Sequence, residues 1–397
     1  MKTDEIIDFE QKYILQTYRR PPIVLERGNG VYLFDTDGRR YLDFVSGLSV
    51  NAFGYGDQEV VEAMVEQAKL LIHSSNLYHT IPAPRLAKLL VEHSCADRVF
   101  FCNSGTEANE AAIKFARRWG YDTSPDRPKF RILAFYNSFH GRTCGSLALT
   151  GQEKYHHGFG PLLPGADFAT FNDLTSVDVS LTDDTCAVIV EPLQAEGGIH
   201  VATQEFLSGL RRLCDERGML LIFDEVQCGL GRMGSLFAYQ QYAGVEPDIV
   251  TLAKPLGGGL PLGVTLVREK VAAHLHPGDH AATFGANPVI CAVAVRVLKR
   301  LMSDEFLLSV KAKGDYLIGK LHGLASQYPL KVQGVRGCGL IAGLVVEGPP
   351  GEIVDACRER GVLVVAAGTD VVRLLPPLIV EQRHIDEAIA VLDQVLR

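Results

Sequence analysis

Asp248-Ile249-Val250-Thr251-Leu252-Ala253-Lys254-Pro255-Leu256-Gly257-Gly258-Gly259 is a short apolar strand that runs into a lysine and then a Pro/Gly loop. An unbroken apolar run bounded by turn formers reads as a strand buried on both faces. A second such run lies upstream: Met219-Leu220-Leu221-Ile222-Phe223 ends in Asp224-Glu225-Val226-Gln227. Doubly buried strands belong to a mostly parallel sheet covered by helices, and such a sheet gathers its chemical groups at the carboxyl ends of its strands. Lys254 and Asp224 therefore stand as candidate catalytic groups. A lysine just past a strand is by itself most often a solvated one, so neighbouring stretches must agree.

Working outward, further strands are expected at 98–102, 131–136, 186–190 and 263–267, beside those at 219–224 and 248–252. Helical segments at 106–118 and 203–217 lie between them, and this alternation spells an α/β domain. Upstream, residues 4–18 have helical spacing and stop at Pro21-Pro22. Residues Val31 to Phe44 read as two strands joined by an Asp-Gly turn at Asp37-Gly38. Helices are expected at 58–72 and from Pro82 to about His93. After Asn287-Pro288 a helix over 289–302 leads to strands near 331–346 and 361–375, beside helices at 304–325, 351–360 and 381–396. The expected division is a large domain at 58–288, a smaller α+β domain at 289–397, and an N-terminal segment, 1–57, packing with the small domain.

The bulk properties suit this plan. The chain has 397 residues, 47% of them apolar and 22% charged, enough for two or three cores. Its net charge of −8, with no basic block, argues against a nucleic-acid binder. The nine cysteines are scattered without a CxxC pair and read as core residues of a protein in a reducing compartment. An acidic N-terminus and the lack of a long apolar run point to a cytoplasmic protein.

Four stretches carry chemistry. Asn103-Ser104-Gly105-Thr106-Glu107 leads a strand into a helix through small residues. The N–H groups at that helix start, with the hydroxyls of Ser104 and Thr106, suit a phosphate, although Ser104 with Glu107 equally reads as a capping box. Phe139-His140-Gly141-Arg142 follows a strand, with an aromatic to stack on a planar ring and an arginine to hold a carboxylate. Glu191 and Glu196 follow the strand at 186–190, where two carboxylates at a sheet's carboxyl edge suit a site better than solubility, although a loop with incidental acids is the alternative. Gly229-Leu230-Gly231-Arg232-Met233-Gly234 matches a dinucleotide fingerprint and leaves a nicotinamide-dependent oxidoreductase as a rival. It comes late in the chain, however, and beside two acids. His274, His276 and His280 read as a polar loop, and no metal is expected. Taken together, a lysine and a carboxylate at neighbouring strand ends fit pyridoxal phosphate held as a Schiff base on Lys254, with Asp224 beneath the pyridine nitrogen.

Asn103 to Ala112, Phe139 to Thr143, Asp224 to Gln227, Ala253-Lys254 and Thr283-Phe284 together resemble the class-III pyridoxal-phosphate aminotransferases, over nearly the whole chain. Ser75 to Tyr78, Thr150 to Tyr155, Gly158 to Leu162 and Arg373 to Leu378 are most similar to the acetylornithine-using members. The resemblance implies the fold-type-I (aspartate-aminotransferase-like) α/β architecture and a homodimer with shared active sites. It also implies transfer of the terminal amine of N-acetylornithine to 2-oxoglutarate, a step of arginine biosynthesis. Position by position, Ser104, Gly105 and Thr106 are implied to hold the phosphate and Phe139 to stack on the ring. Asp224, Glu225, Val226 and Gln227 are implied to line the cofactor, with Lys254 its covalent anchor and Thr283 reaching it from the neighbouring subunit. Arg142, Arg373, Glu196, Glu191 and Ala282 are the implied substrate residues, with Arg373 and Glu196 a switchable pair. Ala195, Pro255 and Ala286 depart from the family's usual residues and affect the pocket's shape. Succinylornithine, acylated diaminopimelate or lysine derivatives, 4-aminobutyrate and ornithine are alternative donors. Leu48, where ornithine-specific relatives carry a tyrosine, ranks free ornithine low.

Overall fold

The computed structural model describes residues 2–397. Its centre is a seven-stranded sheet built from β1 (Arg98–Cys102), β2 (Arg131–Phe135), β3 (Ala166–Ala169), β4 (Thr185–Val190), β5 (Leu220–Asp224), β6 (Ile249–Leu252) and β7 (Gly263–Val267). The strand order is β1-β7-β6-β5-β4-β2-β3. Strands β2 to β6 are mutually parallel, while β7 runs antiparallel to both β6 and β1. Every residue of β4, β5, β6 and β7 is buried, as expected for strands with helices on both faces. Each fully buried Val, Leu or Ile there contributes about 1.5–3 kcal/mol.

The expected elements are present, with shifted ends. The helix expected at 106–118 runs from Gly105 to Thr123. The helix over Gln204–Arg217 starts at Thr203, whose hydroxyl accepts the Phe206 N–H, and stops at Gly218 with φ +59°, a conformation glycine adopts at little cost. The N-terminal helix ends at Tyr13 rather than at residue 18. It buries no residue, so no apolar packing supports further turns. Strand β3 was not expected from sequence. It is a four-residue edge strand carrying Asp167, which accepts from Arg131 Nε at 2.6 Å, and a charged edge strand leaves no apolar run to read.

A second sheet of Val332–Cys338, Ile341–Val346, Val371–Leu374 and Val365–Ala367 is antiparallel throughout. The N-terminal strands Tyr32–Asp35 and Arg40–Asp43 form the expected hairpin, and the latter pairs in parallel with Val362–Leu363. The backbone N–H groups of Leu375 and Leu378 also donate to Phe44 and Ala52. The N-terminal segment is thereby stitched to the C-terminal part of the chain.

Two features position the site. In the β5–β6 ladder Asp224 lies opposite Thr251, which puts the end of β5 and the Lys254 turn at one sheet edge. Strand β1 runs the same way as β6, because two antiparallel steps separate them. The helix start at Gly105 therefore opens at the same edge.

Candidate active site

A cavity of about 460 Å³ lies at this edge. Lys254, Asp224, Phe139, Val226, Gln227, Arg142 and Glu191 line it, together with Ser104, Gly105 and Thr106. Residues expected from five separate stretches thus meet in one place.

At the helix start, Ser104 Oγ accepts from the Glu107 N–H at 3.2 Å, and Glu107 in turn accepts from Asn103 N at 2.6 Å. The cap and the anion site coexist. Thr106 Oγ1 is engaged with Ser146 at 2.7 Å and Thr143 at 2.9 Å. Both hydroxyls are therefore tied into the protein. The donors facing the cavity are the first N–H groups of the helix, which have no partner within it. Gly105 is required there: a Cβ would lie 2.6 Å from Val226 Cγ1.

Asp224 is 3% exposed and its carboxylate is fully oriented. Oδ1 accepts from Val226 N at 3.0 Å, while Oδ2 accepts from Asn109 Nδ2 and His140 Nδ1, both at 2.7 Å. Asn109 also donates to His140 O and accepts from Thr251 Oγ1, each at 2.7 Å. Asn109, His140 and Thr251 were not singled out from sequence. A signal was there: Asn109 is a polar residue amid the buried alanines 108, 111 and 112 of its helix.

Lys254 has φ +37°, a left-handed backbone that a side-chain-bearing residue rarely adopts. Burial holds its amine below the ordinary lysine range, against the opposing pull of Asp224 and Glu196. Glu191 accepts from Phe139 N at 3.1 Å and so braces the aromatic loop. Its burial, with the charge of Asp224 adding, pushes its carboxyl well up.

Glu225 is a correction. Expected beside the cofactor, its carboxylate instead accepts from Ala238 N at 2.6 Å and Tyr239 N at 2.7 Å, outside the cavity lining. Consecutive residues leaving a strand project to opposite sides, so when Asp224 faces the cavity its neighbour faces away. Burial raises the Glu225 carboxyl to about 7, against those two N–H groups.

Arg373, 1% exposed, pairs with Glu196 at 3.0 Å. Gln227 sits between them, accepting from Arg373 Nη1 and donating to Glu196 Oε1, each at 3.2 Å. Burial alone would raise the Glu196 carboxyl, but the Arg373 charge and the Gln227 amide bring it below the usual range. Arg142 is exposed and its guanidinium lies over the Tyr155 ring. Ala282 and Thr283 do not line this chain's own cavity. Their segment is held by Asn76, whose amide donates to Ala282 O and Gly285 O.

The rival motif at 229–234 forms no nucleotide loop. Arg232 is fully buried, and its Nη1 donates to Leu340 O and Pro376 O. The loop is thus a packing element against the C-terminal part of the chain. Among the described residues no group of three His, Cys, Asp or Glu is arranged for a metal, and no helix is long and apolar enough to cross a membrane.

Chemically, the cavity offers an anion cradle, apolar walls from Phe139 and Val226, a fixed carboxylate and a desolvated amine. Comparison with known proteins agrees. Residues 13–396 match the family described as Aminotransferase class-III. The acetylornithine aminotransferase of Methanocaldococcus jannaschii is 48% identical over 398 residues, covering 100% of this chain and 98% of that protein. The solved N-acetylornithine aminotransferase of Stenotrophomonas maltophilia K279a has a TM-score of 0.84 at 36% identity, over 98% of both chains. An ornithine aminotransferase from Toxoplasma gondii, whose structure shows partial occupancy of PLP at the active site, reaches 0.93 at 29% identity, covering 100% of this chain and 94% of its own. With the family matched over almost the whole length and these folds superposed on it, this chain belongs to the class-III aminotransferases.

Proposed function

We propose that this aminotransferase moves the terminal amino group of N-acetylornithine to 2-oxoglutarate, giving N-acetylglutamate semialdehyde and glutamate, with pyridoxal phosphate held on Lys254. The observation that carries the reading is the joint presence, in one cavity, of an amine held below its ordinary range, a carboxylate oriented by three donors, and an open helix start. These groups suit a planar, phosphate-bearing, carbonyl-bearing ring, so the residues fit the cofactor.

When bound, the cofactor supplies an electron sink for the carbon that loses its proton. Asp224, oriented by the donors of Asn109, His140 and Val226, would hold a proton on the pyridine nitrogen. Lys254 would anchor the group and, as a free amine, would take the proton from the substrate carbon and deliver it to its new position. Phe139 and Val226 would pack against the ring. Arg142 binds the carboxylate common to both donors.

Two donors of different charge must use the same pocket in turn. The Arg373–Glu196 pair accommodates this: Arg373 leaves Glu196 to bind the second carboxylate of glutamate and is neutralised by it when the acylated donor is present. A buried arginine left unpaired would carry an uncompensated desolvation cost. The relative at 48% identity, together with Leu48, favours the acylated donor over free ornithine. We further propose the division at 57 and 288, and a homodimer in which the partner's exposed Thr283 completes the phosphate site. The exposed Leu71, Ile72, Leu77, Tyr78 and Phe284 beside that segment supply an apolar face for it.

The test is a half-reaction screen, in which single-turnover bleaching of the cofactor absorbance is followed with each amine. N-acetylornithine is expected to react fastest by k/Kd. A faster reaction with free ornithine or 4-aminobutyrate overturns the donor assignment, and a colourless purified protein overturns the cofactor assignment.

A further inference from the structure

Tyr155 belongs to none of the expected site residues, yet it touches two of them. The Arg142 guanidinium carbon lies 3.9 Å from the Tyr155 ring centroid and 5.6 Å from that of Phe139. The Tyr155 and Phe139 rings meet edge to face, 5.7 Å apart at 77°. Among the described residues, Arg142 donates only a backbone N–H, to Thr106 Oγ1 at 3.3 Å, and no carboxylate is ion-paired with its guanidinium. The loop bearing Tyr155 is also tied to the loop bearing Phe139. Gln152 Nε2 donates to Ser138 O at 3.1 Å, and Tyr155 N donates to Gln152 O at 3.0 Å.

A protein that must hold an arginine ready for a substrate carboxylate has two ways to steady it. An acidic partner fixes the guanidinium but neutralises it and competes for the same N–H fork. An aromatic face fixes the plane of the guanidinium, is attracted to its charge, and leaves the fork free. Here the second arrangement is present. We infer that Tyr155 is a positioning residue, its ring setting the Arg142 guanidinium beside Phe139 and thereby the enzyme's affinity for the donor α-carboxylate. This rests on the reading above that Arg142 takes that carboxylate.

The experiment is a double-mutant cycle over Tyr155→Leu and Arg142→Ala in the holoenzyme, with two readouts. One is the calorimetric Kd of 2-acetamidopentanoate, which keeps the α-carboxylate and acylated amine but has no terminal amine to react. The other is the single-turnover k/Kd for N-acetylornithine and for N-acetylputrescine, which differ only in that carboxylate. Tyr155→Leu is expected to weaken 2-acetamidopentanoate about tenfold, the loss of a cation–aromatic pair. It should lower k/Kd for N-acetylornithine by a similar factor and leave N-acetylputrescine within about twofold. In the Arg142→Ala background the same change should have no further effect. Tyr155→Phe should restore wild-type binding, since the phenol oxygen makes no hydrogen bond among the described residues.

Equal losses for the two amines, or additive effects in the cycle, make Tyr155 a structural residue and overturn the inference. No loss in Tyr155→Leu overturns it as well. If Arg142→Ala alone leaves the Kd of 2-acetamidopentanoate unchanged, the underlying assignment of Arg142 fails instead, and the two failures are distinguishable.

Discussion

Lys254 sits at φ +37° with an amine that burial holds below its ordinary range. A left-handed backbone at a non-glycine residue costs about 1–2 kcal/mol, and such strain concentrates where the side chain's aim matters more than stability. Lys254→Ala is expected to bind cofactor reversibly and to lose transamination by several orders of magnitude, because the proposed covalent anchor and proton carrier would vanish together. Activity within about tenfold of wild type would show that the lysine is not the anchor. Asp224→Asn keeps shape but removes charge, so the single-turnover rate should fall far more than cofactor affinity. Parallel losses in both measurements would make Asp224 a structural residue.

At the scale of elements, the turn after β5 sends neighbouring acids to opposite jobs. Asp224 faces the cavity, and Glu225 holds the short helical turn Ala238–Gln241 by its first N–H groups. The Glu225 carboxyl is raised from 4.5 to about 7. The folded state therefore holds a proton that the unfolded chain has released, and the sign follows: between about pH 4.5 and 7 stability falls as pH rises. Glu225→Gln mimics the protonated form. The Tm of wild type minus that of the variant should accordingly decrease across this interval. A difference that stays flat or rises would mean that the two N–H groups hold Glu225 ionised throughout.

Across the whole molecule, Glu196 comes from the loop after β4 and Arg373 from the second sheet, and Gln227 from the β5 turn lies between them. The Glu196 carbonyl also accepts from Gly368 N at 2.9 Å, so the same C-terminal part of the chain that carries Arg373 also holds the backbone of its partner. If Arg373 serves glutamate, Arg373→Ala should cripple the glutamate half-reaction by roughly the 2–5 kcal/mol lost when one member of a buried charge pair is removed, and spare the acylornithine half. Glu196→Ala should do the reverse, leaving Arg373 unpaired beside the longer donor. Single-turnover rates of both halves for the two variants decide it. Equal slowing of both halves by Arg373→Ala would reduce the arginine to a general anchor.

The sheet, its chemically active edge and most of the cavity's side chains were legible in the sequence. Runs such as Leu220–Phe223 and Ile249–Leu252 declare burial locally, and a parallel sheet then dictates where Asp224 and Lys254 emerge. Phe139, Arg142 and the helix start at Gly105 were legible for the same reason: each follows a strand directly. What only the tertiary structure decided was polar partnership. Asp224 meets Asn109 and His140 across separations of 115 and 84 residues, and Arg373 meets Gln227 across 146. No local period encodes such pairs. The direction of Glu225, the edge strand β3, and Tyr155 beneath Arg142 were hidden likewise. Apolar burial is non-directional and is written in the pattern of neighbouring residues, whereas a hydrogen bond or a cation over a ring exists only once distant segments have been brought within a few ångströms at the right angle.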